Sequence, residues 1–109
     1  MPVRADQLME IFRYLTDQDA RKRELGADQV TDWSRSYSQE DGRLLAGILS
    51  ISAACERDHA ALEAQLNALL DLGANGLSDL QSMAHLREIK LEALPNSLSE
   101  YVNDLLEAN

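Results

Sequence analysis

The run from Ala60 to Gly73 most narrows what this chain can fold into. Leu62, Leu66, Leu69 and Leu70 fall at helical spacing while Glu63, Asn67 and Asp71 recur every fourth residue, so one side of a helix is apolar and the other acidic. Such a helix must cover its leucine side with other elements. Gly73 then predicts a left-handed residue just past the helix end, and Asn75-Gly76 predicts a turn that reverses the chain.

The same periodicity recurs on both sides of this run. Leu8, Ile11, Phe12 and Leu15 follow the i, i+3, i+4, i+7 pattern of a buried stripe and predict a first helix over Ala5 to Leu15. Thr16 with Asp19 has the form of a capping box, which predicts a short second helix to Leu25, ended by Gly26. From Ala27 to Tyr37 the large residues Val30, Trp33 and Tyr37 suggest a short helix or an ordered loop, with Trp33 filling core space. Ser38 with Asp41 opens an apolar helix whose core candidates are Leu44, Leu45, Ile48, Leu49 and Ile51.

Glu56-Arg57-Asp58 interrupts that apolar pattern. A helix continuing through to Leu72 would be an outlier in length for a domain this small, so Asp58 is predicted to cap a separate helix that folds back. Ser78 with Gln81 and Ser97 with Glu100 mark two further starts, separated by Pro95, and Leu98, Tyr101, Val102 and Leu105 share a face of the last helix. With 5% aromatic residues and no alternating strand pattern, the expected fold is all-α: five or six short helices packed as helical hairpins, in one domain over residues 1–109. Arg43 to Leu72 has about the size of one HEAT-type unit, in which paired helices bury a common seam.

Acidic residues outnumber basic ones by 19 to 10, a net charge of −9, which argues against a phosphate-backbone binder and for a basic partner. The excess is uneven. Nine acids face seven bases up to Cys55, but ten face three from Glu56 onward. The one basic run, Arg21-Lys22-Arg23, is flanked by Asp17, Asp19 and Glu24 and reads as a salt-bridged solvated face rather than a nucleic-acid patch.

Catalytic chemistry finds little to work with. Glu56-x-x-His59 has a spacing used in di-iron bundles, and Glu63 extends that face, but His85 has no Glu three residues before it to supply a second copy. Cys55 and His59 stand at i, i+4, and two ligands do not close a structural zinc site. No nucleophile elbow or phosphate loop is present, and the glycines are scattered. The expectation is therefore a non-enzyme with no metal and no cofactor. Cys55, the sole cysteine, lies in an apolar run, and we expect it to pack as a small hydrophobe in a reducing compartment. Met1 to Gln7 lacks an apolar run suited to a leader or a membrane span, which predicts a cytoplasmic location and no membrane contact.

The Ala60 to Gly73 helix, with its embedded Leu66-Asn67-Ala68-Leu69, resembles the helix of small HEAT-like immunity proteins from bacterial polymorphic-toxin systems. The tail Leu94 to Leu106, where Leu-Pro precedes Glu100-Tyr101 and a closing Leu105-Leu106, is similar to the last helix of such proteins. The resemblance covers about the last half of the chain. It implies a protein that binds a cognate toxin domain and blocks its active site, and many such toxins are nucleases with basic clefts. The alternative is an acidic helical adaptor or a nucleic-acid-mimicking binding module.

Either reading puts the partner surface on the carboxylate side of the Asp58 to Leu72 helix and the turn after it: Asp58, Glu63, Asn67, Asp71 and Asp79. Glu63, Asn67 and Asp71 stand one above another at i, i+4, and a basic partner compensating the acidic charge collected on that face is a reason to retain them. The chain is expected to be a monomer or a weak dimer.

Overall fold

Three of the helix starts in this protein follow short polar residues that cap them. The structure, a computed structural model, describes residues 3–79 and 81–107. Over these residues it has five α-helices and no strand: α1 (Ala5–Leu15), α2 (Ala20–Asp32), α3 (Gln39–Cys55), α4 (His59–Ala74) and α5 (Asn96–Glu107). Two short 3-10 helices, Ala84–Glu88 and Leu91–Ala93, lead from α4 to α5. Side chains of Asp19, Ser38 and Asp58 accept the backbone N–H of Arg21, Asp41 and Ala61 and so open α2, α3 and α4. The break after Cys55 and the cap at Asp58 stand where the sequence puts them.

Two helical hairpins result, α1 with α2 and α3 with α4, and they join where α2 lies against α4. α4 is the centre of the fold, touching α2, α3 and α5. Its Leu62, Leu66, Leu69 and Leu72 are almost wholly buried, together with Leu15, Val30, Leu45, Leu49 and Val102 from the surrounding helices. No helix among the described residues is long and apolar enough to cross a membrane.

Several local expectations are corrected. Gly26 does not end a helix, since α2 runs through it to Asp32. A Cβ there would stand 2.8 Å from Tyr14 Cβ and 3.0 Å from the Leu15 nitrogen, so the residue is glycine because α1 crosses against it. The helix start therefore belongs to Asp19 alone, and the Thr16 hydroxyl turns back to donate to the Phe12 carbonyl at 2.7 Å.

Gly73 likewise remains inside α4, and the left-handed residue is Gly76, at φ 72°. Leu77 N–H donates to the Leu72 carbonyl at 2.8 Å and Gly76 N–H to that of Gly73 at 3.0 Å, which is the paired bonding of a Schellman motif. Buried Leu77 and Leu72 complete it.

Trp33 is 45% exposed rather than core, and Leu44, Ile51 and Leu70 are also about half exposed. Cys55 is exposed too. Trp33 caps the end of α2 and the others lie on sides of α3 and α4 that the described residues leave uncovered, a fact of tertiary arrangement that periodicity does not carry. The start expected at Ser78 is not an α-helix: a turn and a 3-10 segment follow, with residue 80 outside the described residues. Ser97 lies within the first turn of α5, and the Pro95 carbonyl accepts the N–H groups of Leu98 and Ser99.

Candidate functional site

An open groove of about 360 Å³ runs between α2 and α4 and is closed at one end by α5. Glu24 and Asp28 line it from α2, Ala60, Glu63, Ala64 and Asn67 from α4, and Tyr101 from α5. Tyr101 donates its hydroxyl to Asn67 Oδ1 at 3.0 Å, which ties the last helix to the groove wall.

Glu24, Asp28 and Asp32 are spaced four residues apart along α2, as Glu63, Asn67 and Asp71 are along α4, so each helix presents one polar row. Glu24 pairs with Arg21 at 2.6 Å. Asp28 and Glu63 have no ion pair among the described residues. Partial burial, then the charges of Glu24 and Asp32, push the Asp28 carboxyl above its ordinary value. Burial, then Asp71 and Glu63, push the Tyr101 phenol up as well. Burial is the larger cause of both shifts, and the neighbouring carboxylates add to it in the same direction.

Of the residues singled out from sequence, the structure brings Glu63 and Asn67 into this groove, with Asp71 one turn further along α4 and close enough to act on Tyr101. Asp58 has other obligations. Its carboxylate caps α4 and pairs with Arg21, and the bond to the Ala61 N–H, then that pair, holds it below the usual carboxylate range. Asp79 is outside the groove, accepting the N–H and hydroxyl of Ser82 at 2.9 and 3.1 Å.

Glu24, Asp28 and Tyr101 were not reached by sequence reasoning. The signal existed, because Glu24, Asp28 and Asp32 repeat at i, i+4. Ending the second helix at Gly26 concealed it.

The basic run does form ion pairs, and beside the local Arg21 to Glu24 contact two of its partners, Asp58 and Glu56, are remote in sequence. Arg23 makes a forked contact with Glu56, Nε to Oε1 at 2.7 Å and an Nη to Oε2 at 2.8 Å. The Glu56 side chain is 1% exposed and also accepts Gln65 Nε2 at 2.9 Å and the N–H groups of Arg57 and Asp58 at 3.1 Å. Burial alone would raise the Glu56 carboxyl, but Arg23, the Asp58 N–H and Gln65 together hold it below its ordinary value. This clamp fixes the α3–α4 turn against α2. It also occupies the carboxylate of the Glu-x-x-His pattern, while His59 is exposed at the start of α4.

Among the described residues no three His, Cys, Asp or Glu side chains gather as a metal site would need. Compared with protein families, curated proteins and solved structures, the chain matches none.

Proposed function

We propose that this chain is an immunity protein, which binds a cognate bacterial toxin domain and neutralises it by seating a basic surface of that domain in the α2–α4 groove. The observation that carries the reading is the pair of polar rows on α2 and α4, in which Asp28 and Glu63 have no ion pair among the described residues. A basic side chain entering the groove would relieve repulsion already present and add attraction. Such complementarity also steers encounter and speeds association. The likeness of Ala60 to Gly73 and of Leu94 to Leu106 to immunity-protein helices supplies the partner class.

The test is co-expression with the toxin domain encoded beside this gene, scored by growth rescue and by association rate against salt. Charge reversal at Glu63→Lys with Asp71→Lys should leave helicity unchanged, slow association by about tenfold or more at low salt, and remove most of the salt dependence. Unchanged rates in the double variant would overturn the site, and absence of rescue by the wild-type chain would overturn the function.

The same rows favour a second reading, an acidic adaptor or nucleic-acid mimic, because carboxylates one helical turn apart on α2 and two turns apart on α4 offer a groove edged in negative charge as nucleic acid does. A basic, non-toxic partner captured through Glu63 and Asp28 would favour it over the first.

A further inference from the structure

The outer side of α3 carries a second surface that the acidic groove does not use. Leu44, Ile48, Ile51 and Cys55 are spaced four, three and four residues apart, the seam spacing by which one helix packs along another. Leu44 and Ile51 are half exposed, at 51% and 50%, and Cys55 is exposed. Between them, a Cβ on Gly47 would meet nothing within 4 Å, so another backbone has room to approach.

The charges at the two ends of this seam differ in sign. Glu40 stands one turn before Leu44, and Arg57 follows Cys55, lining the same shallow groove as that thiol. Both are exposed and neither has an ion pair among the described residues.

We propose that α3 pairs with α3 of a second copy of this chain, antiparallel, about a two-fold axis near Gly47 and Ile48. In that arrangement each Arg57 falls over the other copy's Glu40, twice by symmetry, and the helix dipoles oppose. A parallel arrangement would set Glu40 on Glu40 and Arg57 on Arg57, so charge selects the antiparallel one. The apolar strip is a single narrow seam, well short of the surface of about 800 Å² per partner that stable complexes bury, so the dimer is weak and concentration-dependent.

Sedimentation velocity from about 10 µM to 1 mM, the range in which a weak complex of this kind dissociates, tests the pairing. The wild-type weight-average mass should rise from 12.1 kDa toward twice that value. Ile51→Glu, at an exposed position, should keep the circular dichroism spectrum and raise the dissociation constant by about tenfold or more. Glu40→Arg and Arg57→Glu should each weaken the dimer, and the double reversal should restore it.

Geometry supplies a further discriminator. With the axis near Gly47, the two Cys55 Cα atoms lie on the order of 20 Å apart at 1.5 Å rise per residue, beyond disulfide reach. Mild oxidation should therefore cross-link Gly47→Cys in a Cys55→Ser background and leave the wild-type chain uncrosslinked. A mass that stays at the monomer value to 1 mM, an Ile51→Glu variant that dimerises as well as wild type, or efficient Cys55 cross-linking would each overturn the proposal.

Discussion

Replacing Glu56 with alanine should be among the most damaging single changes available in this protein. The substitution takes the carboxylate from the Arg23 guanidinium, which keeps only its bonds to the Asp17 and Gln18 carbonyls, removes the partner of Gln65 Nε2, and frees the two turn N–H groups of Arg57 and Asp58. Breaking a buried pair from one side costs about 3 to 5 kcal/mol. Arg23 is 23% exposed, so water recovers part of that loss. Gln65 recovers nothing: it is fully buried, its Oε1 has no partner among the described residues, and the stranded amide adds about 1 to 3 kcal/mol.

The net expectation is a loss of about 3 kcal/mol, a large share of the stability of a small domain. In urea, with a slope of about 1.5 kcal/mol per M, the midpoint should fall by roughly 2 M at unchanged slope. The Glu56 carboxyl is held below its ordinary value of 4.5, so the unfolded chain takes up this proton first on acidification. The clamp's contribution is accordingly complete above that value and disappears as pH falls through the lower, folded one. The gap between wild type and Glu56→Ala should narrow on the same path. A loss below about 1 kcal/mol at neutral pH, the worth of an exposed ion pair, would refute the reasoning.

Gly26→Ala should lose about 1 to 3 kcal/mol despite the better helix former, because its Cβ would meet Tyr14 Cβ at 2.8 Å. Gly47→Ala, compared at low protein concentration, should gain about 0.5 to 1 kcal/mol, since its Cβ meets nothing within 4 Å; thermal unfolding of the pair separates the two effects. Gly76→Ala forces a side chain into φ 72° and should lower stability by about 1 to 2 kcal/mol in the same assay. The Tyr101 phenol, raised first by burial and then by Asp71 and Glu63, should titrate above 10 by ultraviolet absorbance, and Glu63→Lys with Asp71→Lys should bring its midpoint down. Tyr37, pushed up to about 12 by burial and then by Asp32, makes stability fall as pH rises above 10, where the unfolded phenol has ionised and the buried one has not.

Where a local rule decides the conformation, the sequence was sufficient. Ser38 and Asp58 cap helices because their own side chains reach an N–H three residues on, and α1 has the bounds its leucine and isoleucine spacing implies. Where a neighbour decides, it was not. Gly26 reads as a stop until α1 is known to lie on it, and Trp33 and Cys55 read as core until the uncovered sides of α2 and α3 are known. The same limit applied to the groove: Glu63 and Asn67 could be placed on one face from their spacing, but the facing row of Glu24 and Asp28 needed an uninterrupted α2. The Arg23 to Glu56 clamp spans 33 residues and has no local signature at all.

α4 is held at both ends, by the Asp58 cap beside the Glu56 clamp at its start and by the Schellman bonds of Gly76 and Leu77 at its finish. The helix that forms one wall of the groove is thus fastened before anything docks there. Ordering a wall on contact would cost conformational entropy, which a fastened wall does not lose twice. A ligand of this groove should therefore meet a rigid mould, with little change of backbone between the free and occupied protein, and its selectivity should come from shape and charge matched in advance.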